Sequence, residues 1–195
     1  MDATDRTAVL ARARGGDGEA FRVLVEQHSR RVFQLAFRMT GNEHDAEDVV
    51  QESFLRAYRQ LGRFEARANF GTWLYRIVAN CAVDMLRAKR SRGDQMNPAG
   101  LEEQLLSAPT TGPNPERLAE SAEIQRRVAA ALGELSPVER AAFTLRHYEG
   151  RSIEEICSTL NLRTSAAKHS VFRAVKKLRV ALGPLRMAAG TPEQP

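Results

Sequence analysis

Cysteine, tryptophan and long apolar runs are scarce in this chain. It has two cysteines, Cys81 and Cys157, and one tryptophan in 195 residues. The cysteines lie far apart and outside any CxxC or His–Cys cluster. That excludes a disulfide framework and a zinc knuckle, and it fits a reducing compartment. No apolar run approaches the ~18 residues that cross a bilayer, so direct membrane insertion is not expected. The opening MDATDRTAVLARARGGDG lacks the apolar core of a secretory signal, and a cytoplasmic location is expected. A glycine-rich phosphate loop, a metal-ligand cluster and a Ser-His-Asp arrangement are missing as well. His28, His44, His147 and His169 are scattered. Neither an enzyme nor a bound cofactor or metal is expected.

What is present is charge in blocks. Residues 1–92 hold 16 basic and 12 acidic side chains, residues 93–133 hold 3 and 6, and residues 134–186 hold 10 and 5. Two basic blocks thus flank an acidic one. Such blocks fit polyanion contact, although solvated helix surface gives the same pattern.

Helical periodicity runs through the chain, and no segment alternates long enough for a strand. A short helix over 8–14 stops at Gly15-Gly16. Phe21, Leu24, Val25, His28, Val32, Leu35, Ala36 and Met39 then repeat at helical spacing over 19–40. Val49, Val50, Phe54, Ala57, Tyr58 and Leu61 do so over 45–61, and Phe70, Leu74, Ile77, Val78, Cys81 and Met85 over 69–90. Each set marks one buried face. Prolines 98, 109, 113 and 115 with glycines 93, 100 and 112 break the pattern, predicting a flexible linker over 93–115 with one short helical turn at 101–106. Helices resume over 118–132 and from Ser136-Pro137-Val138-Glu139 to about Tyr148. The fold class is therefore all-α. It comprises two helical domains, 1–92 and 116–182, joined by the linker and followed by a mobile tail over 183–195.

The last helical pair carries the sharpest signal. Ser152-Ile153-Glu154-Glu155 reads as a capping box that opens a short acidic helix. Asn161-Leu162-Arg163 is a three-residue turn. In the next helix Ala167, Val171, Ala174 and Leu178 form one face, and Ser165, Lys168, His169, Arg173, Lys176 and Lys177 form the opposite one. This is helix-turn-helix patterning. The start of the second helix would meet base edges in a major groove, and its later cations would meet phosphates. An amphipathic hairpin with a solvated cationic face has the same pattern. A dimeric repressor and a pure interaction protein remain open on these residues alone.

Three stretches together resemble the extracytoplasmic-function (ECF) sigma factors of bacterial RNA polymerase. DAEDVVQESFLRAYRQLGRF (45–64) resembles region two, which docks on the polymerase core. NFGTWLYRIVANCAVDMLRAKRSR (69–92) resembles the helix that melts and reads the −10 element. LSPVERAAFTLRHYEGRSIEEICSTLNLRTSAAKHSVFRAVKKLR (135–179) resembles region four, the reader of the −35 element. The resemblance implies a promoter-specificity subunit without catalysis of its own, with polymerase core and promoter DNA as partners. Many members are also held by an anti-sigma factor, often membrane-bound, so such a partner is implied too.

Carried over residue by residue, the resemblance assigns polymerase-core contact to Asp45, Glu47, Asp48, Gln51, Glu52 and Phe54. Helix capping explains part of that acidic cluster equally well. It assigns −10 contact to Arg63, Arg67, Asn69, Thr72, Arg76, Asn80, Asp84, Arg87 and Lys89. Cations there would track a single strand, and amides would read unstacked bases. Trp73 lies on the apolar face, where packing is the simpler role. Asp84 either orients Arg87 or solvates the helix. The acidic linker would pass through the polymerase cleft as an RNA mimic or serve as a spacer. The chain departs from the family at two places. Arg163 stands where a serine-like cap is usual, so Thr164 is expected to cap. Ser170 stands where an arginine is common, removing one contact.

Overall fold

The computed structural model of the chain describes residues 3–64, 69–93, 127–128 and 130–188. Every regular element among them is helical. The predicted turn at 101–106, most of the helix over 118–132, Arg67 and the tail from 189 lie outside the described residues. The first half contains α1 (Ala3–Arg14), α2 (Gly18–Thr40), α3 (Glu43–Gln60), a 3-10 turn (Leu61–Arg63) and α4 (Phe70–Arg92). The second contains helical residues among 127–133, then α5 (Pro137–Phe143), a π turn (Thr144–Tyr148), α6 (Ile153–Leu160) and α7 (Thr164–Ala188).

Local chemistry sets the boundaries. Asp17 accepts the amides of Glu19 and Ala20 to start α2, and Gly41 ends it in the left-handed region at φ 84°. Asn42 accepts the Asp45 amide and opens α3, so the cap is Asn42, three residues ahead of the start expected at Asp45. The reason is backbone shape: Asn42 is extended, as an N-cap must be, whereas Asp45 is already helical. Asn69 caps α4 through the Gly71 amide. Ser136 and Ser152 both form reciprocal capping boxes, with Glu139 and Glu155.

Two boundaries differ from the periodic reading. The helix from Pro137 changes at Thr144 into a π turn, where the Glu149 amide reaches back five residues to the Thr144 carbonyl. And α7 continues through Gly183 to Ala188 rather than ending before it. Its first turn closes on the Arg163 carbonyl, which accepts the Ala167 amide. Thr164 therefore lies inside the helix, not at its cap.

The first half packs α2, α3 and α4 face to face. Val32, Leu35 and Met39 meet Ala46, Val49 and Ala57 of α3 and Leu74, Val78 and Ala82 of α4, all fully buried or nearly so. Each large side chain removed from water here stabilises the fold by about 1.5–3 kcal/mol. Ala141, Leu145, Ile156, Ala167, Ala174 and Leu178 continue the same core through the second half. Ala167 is completely buried, which lets α7 cross α6 closely. Trp73 is half-buried and packs on Phe64 and Phe70 at centroid distances of 4.9 and 5.6 Å, the packing role expected for it.

Candidate nucleic-acid interface

The turn between α6 and α7 is built by one backbone choice. Asn161 adopts φ 52°, a left-handed conformation that asparagine tolerates better than most residues, and Leu162 donates its amide to the Cys157 carbonyl at 3.0 Å. This swings α7 across α6 with Ala167, Ala174 and Leu178 inward. Ser165, Lys168, His169, Arg173, Lys176 and Lys177 are all exposed along α7. Five can approach a polyanion without breaking an internal bond described here. Lys177 cannot, because its ammonium is bonded to the Glu139 carboxylate at 2.7 Å and to the Glu134 carbonyl at 3.3 Å. Burial disfavours the Glu139 charge, but the Lys177 ammonium and the Ser136 hydrogen bonds together outweigh it and hold that carboxyl below its ordinary range. One residue of this face escaped the search for polar groups: Phe172, 67% exposed. An aromatic ring in water on a recognition helix can contact a thymine methyl. Its helical register, turned away from Ala167, Ala174 and Leu178, was the available signal.

The second surface is the outer face of α4. Thr72, Arg76, Asp84 and Arg87 are exposed, as are Arg63 and Asn69 just before the helix. Asn69 spends its side-chain oxygen on the Gly71 amide. Asp84 pairs with Arg56 of α3 at 3.2 Å, and Arg56 also holds Glu52 at 2.6 Å. Asp84 thus joins α4 to α3, neither orienting Arg87 nor standing alone in solvent. Lys89 reaches Asp45, whose carboxylate is 4% exposed, at 2.5 and 2.7 Å. Asn80 donates its side-chain amide to its own helix at the Arg76 carbonyl (2.7 Å) and to the Thr159 carbonyl of α6 (2.8 Å).

The third surface is the acidic face of α3. Glu47, Asp48 and Gln51 point to solvent. Asp45 and Phe54 are buried, so both serve packing in this structure and not an exposed contact. Among the described residues no group of His, Cys, Asp and Glu is arranged to hold a metal, and no helix is long and apolar enough to cross a membrane.

Sequence reasoning also missed a cluster between the halves. Glu149, at the end of the π turn, bonds Arg38 of α2 at 2.5 Å and accepts the Tyr75 hydroxyl of α4 at 3.3 Å. Burial, with the Glu149 charge beside it, pushes the Tyr75 phenol up from its ordinary value. Arg38 lies over the Tyr148 ring and Arg151 over the Tyr75 ring. Arg140 is 2% exposed and sits against Gly41, and burial lowers its guanidinium to about 10. None of these residues has a periodicity that marks a partner so distant in sequence.

Comparison with known proteins assigns both halves. The sigma-70 region 2 model matches residues 24–92 and the sigma-70 region 4 model residues 125–178. The ECF RNA polymerase sigma factor SigE of Mycolicibacterium smegmatis is 37% identical over 156 residues, which is 80% of this chain and 59% of that protein's length. SigW of Bacillus subtilis is 31% identical over 176 residues, 89% of this chain and 94% of SigW. The ECF sigma-E factor of Escherichia coli K12 is 34% identical over 185 residues, 93% of this chain and 96% of its own. In structure, CnrH in complex with the cytosolic domain of CnrY is similar with TM-score 0.59 and 28% identity, covering 92% of this chain and 97% of that one. The sigma factor RpoE of Bartonella quintana, solved with the anti-sigma factor NepR, shares the fold at TM-score 0.57 and 23% identity over 84% of this chain and 96% of that one.

Proposed function

The chain belongs to the ECF RNA polymerase sigma factors, and from that membership we propose how its surfaces divide the work of promoter-specific transcription initiation. Sigma factors are non-catalytic initiation factors, so the chemistry here is recognition. The observation that carries the assignment is the exposed cationic face of α7 beside a fully buried Ala167. Ser165, Lys168 and His169 enter the major groove of the −35 element, with Phe172 against a base methyl. Arg173 and Lys176 hold phosphates. Lys177 is assigned a positioning role, fixing α7 to the start of α5 through Glu139.

The outer face of α4 takes the −10 strand. Arg63, Arg67, Arg76 and Arg87 follow its backbone, while Asn69, Thr72 and Asn80 lie where unstacked bases would present their edges. Asp84 and Lys89 belong to the support of that face, through Arg56 and Asp45. Glu47, Asp48 and Gln51 form the polymerase-core contact, with Glu52 behind them. CnrH is held by the cytosolic domain of CnrY in its solved structure, and a protein inhibitor of that kind, an anti-sigma factor in some cases anchored to a membrane, is proposed for this chain as well. A cytoplasmic location follows from the same reading.

The test is transcription in vitro with purified chain, polymerase core and a genomic promoter library. Discrete start sites that need the chain are expected. The double variant R173E/K176E should reduce initiation at least tenfold and flatten its salt dependence, since each lost phosphate contact removes about 0.9 from the log–log slope. Initiation by the double variant at the parental level would defeat the assignment of α7.

A further inference from the structure

We propose that Arg56 of α3 is a positioning residue for reading the −10 strand: it ties the Asp84 carboxylate to α3 and so leaves Arg87 of α4 free to meet a phosphate. Its place in initiation rests on the strand-reading role proposed above for the outer face of α4. Arg56 engages two carboxylates at once. Its Nε donates to Glu52 at 2.6 Å, one turn back in α3, and its Nη1 donates to Asp84 of α4 at 3.2 Å. A guanidinium fork can serve two acceptors in this way, whereas a lysine ammonium is a single point charge. Glu52 thus pre-sets the side chain that holds Asp84. The backbones are fixed too, because Ser53 and Cys81, each three residues before Arg56 and Asp84, are buried between the helices.

The outer face of α4 has a specific need for this pairing. Asp84 is the one acidic side chain in α4, among cations at 76, 87, 89, 90 and 92. Its side chain is 53% exposed, so its charge would be felt by a strand on that face. Residues three apart share a side of a helix, and an acid three positions before an arginine is a stabilising arrangement. Asp84 and Arg87 have that spacing. Left to itself, the carboxylate would draw on Arg87, withdrawing a cation from the strand and setting a negative charge beside its phosphates. The structure shows the other arrangement. Asp84 bonds Arg56, and Arg87 is exposed with no ion pair or side-chain hydrogen bond among the described residues. Arg56 therefore does for α4 what no residue of α4 does for itself: it neutralises the acid without using a cation of the reading face.

The test uses holoenzyme and a promoter recovered from the library transcription, prepared with its −10 segment unpaired. Core binding is titrated separately, so that only fully assembled holoenzyme is compared. Fluorescence anisotropy then follows binding across potassium chloride concentrations for the parent, R87M, R56M, D84N and R56M/D84N. R87M should lower the log–log salt slope by about 0.7, the share of one single-strand phosphate. R56M should lower it comparably and weaken binding about fivefold, the effect of an exposed carboxylate close to a phosphate. R56M/D84N should return both quantities to the parental values, because no carboxylate is left to neutralise. R56Q serves as the milder variant should R56M melt early by circular dichroism. A parental slope in R56M, or a loss that D84N does not restore, overturns the proposal; the second pattern would make Arg56 a phosphate contact itself or only a joint between α3 and α4. The free chain supplies a readout that needs no promoter. Water exchange of the Arg87 Nε–H, read by nitrogen-15 NMR, should be slowed about twofold in R56M, the odds conferred by a pair three residues apart, and return to the parental rate in R56M/D84N. An unchanged rate in R56M overturns the capture of Arg87 by Asp84. Absence of salt-dependent binding by the parental holoenzyme would instead overturn the strand-reading role of α4 and this use of Arg56 with it, while the exchange rates still decide the pairing.

Discussion

Asp45 shows how one buried carboxylate can be mistaken for a surface one. In the sequence it stands among Glu43, Glu47 and Asp48, an acidic run that invites a partner protein. In the fold it is 3% exposed, accepts the Asn42 side-chain amide and holds Lys89 of α4 across the bundle. Replacing it with alanine removes the partner of a half-buried ammonium. D45A should therefore lower stability by about 2 kcal/mol, less than a fully buried pair because Lys89 can rehydrate. E47A and D48A should change stability by no more than about 0.5 kcal/mol, yet weaken binding to polymerase core. Urea melts read the first difference and a core-binding titration the second. A D45A chain as stable as E47A would contradict the buried pair. The same residues show what patterning could reveal. Hydrophobic spacing placed Val49 and Ala57 in the core correctly, because period 3.6 is a property of a single helix. It could not distinguish Asp45 from Asp48, because that depends on which helix lies opposite. Lys89 supplies the missing partner from 44 positions away.

At the scale of elements, the two helix starts made by capping boxes were legible and the helix joints were not. The capping boxes at Ser136 and Ser152 follow from residues three apart in the chain, so local sequence is sufficient. The π turn at 144–148 has no such local signature; its one extra residue per turn carries Glu149 round toward α2 and α4. The α5–α7 joint rests on Lys177, which a count of cations assigns to DNA. Its pairing with Glu139 makes a pH prediction. The Glu139 carboxyl is held below its ordinary value of 4.5 in the folded chain. A depressed carboxyl adds stability above its unfolded value and loses it as pH falls through the folded one. The second half should therefore weaken progressively below about pH 4.5. K177M should remove that part of the acid dependence and lower stability at neutral pH by about 2 kcal/mol, while leaving the salt slope of promoter binding nearly unchanged. Thermal melts across pH 3–7 would show it. If K177M instead cuts the salt slope as K176A does, Lys177 is a phosphate contact after all.

For the whole molecule, composition revealed two basic modules about an acidic stretch, and nothing in it reported that the modules touch. Beside the shared apolar core, the contact uses single residues whose partners are more than 60 positions distant, such as Tyr75 and Glu149. Two glycines offer a way to weigh that contact against local geometry. Gly41 and Gly93 both end long helices in the left-handed region, at φ 84° and 77°. A side chain at either position carries the same backbone strain, about 1–2 kcal/mol. Their surroundings differ. A Cβ on Gly93 would meet nothing within 4 Å, whereas a Cβ on Gly41 would stand 2.7 Å from Nη2 of Arg140. G93A should therefore lower stability by the strain alone and leave the halves closed. G41A adds a clash with the end of the Arg140 side chain from the other half, which at 2% exposure has little room to turn and so passes the displacement to the spacing of α5 and α2. It should cost more than G93A and also lengthen the distance between labels on α2 and α7. Equal costs, with an unchanged distance in both variants, would mean that Arg140 yields within a closed molecule and that its packing against Gly41 contributes little to holding the halves together.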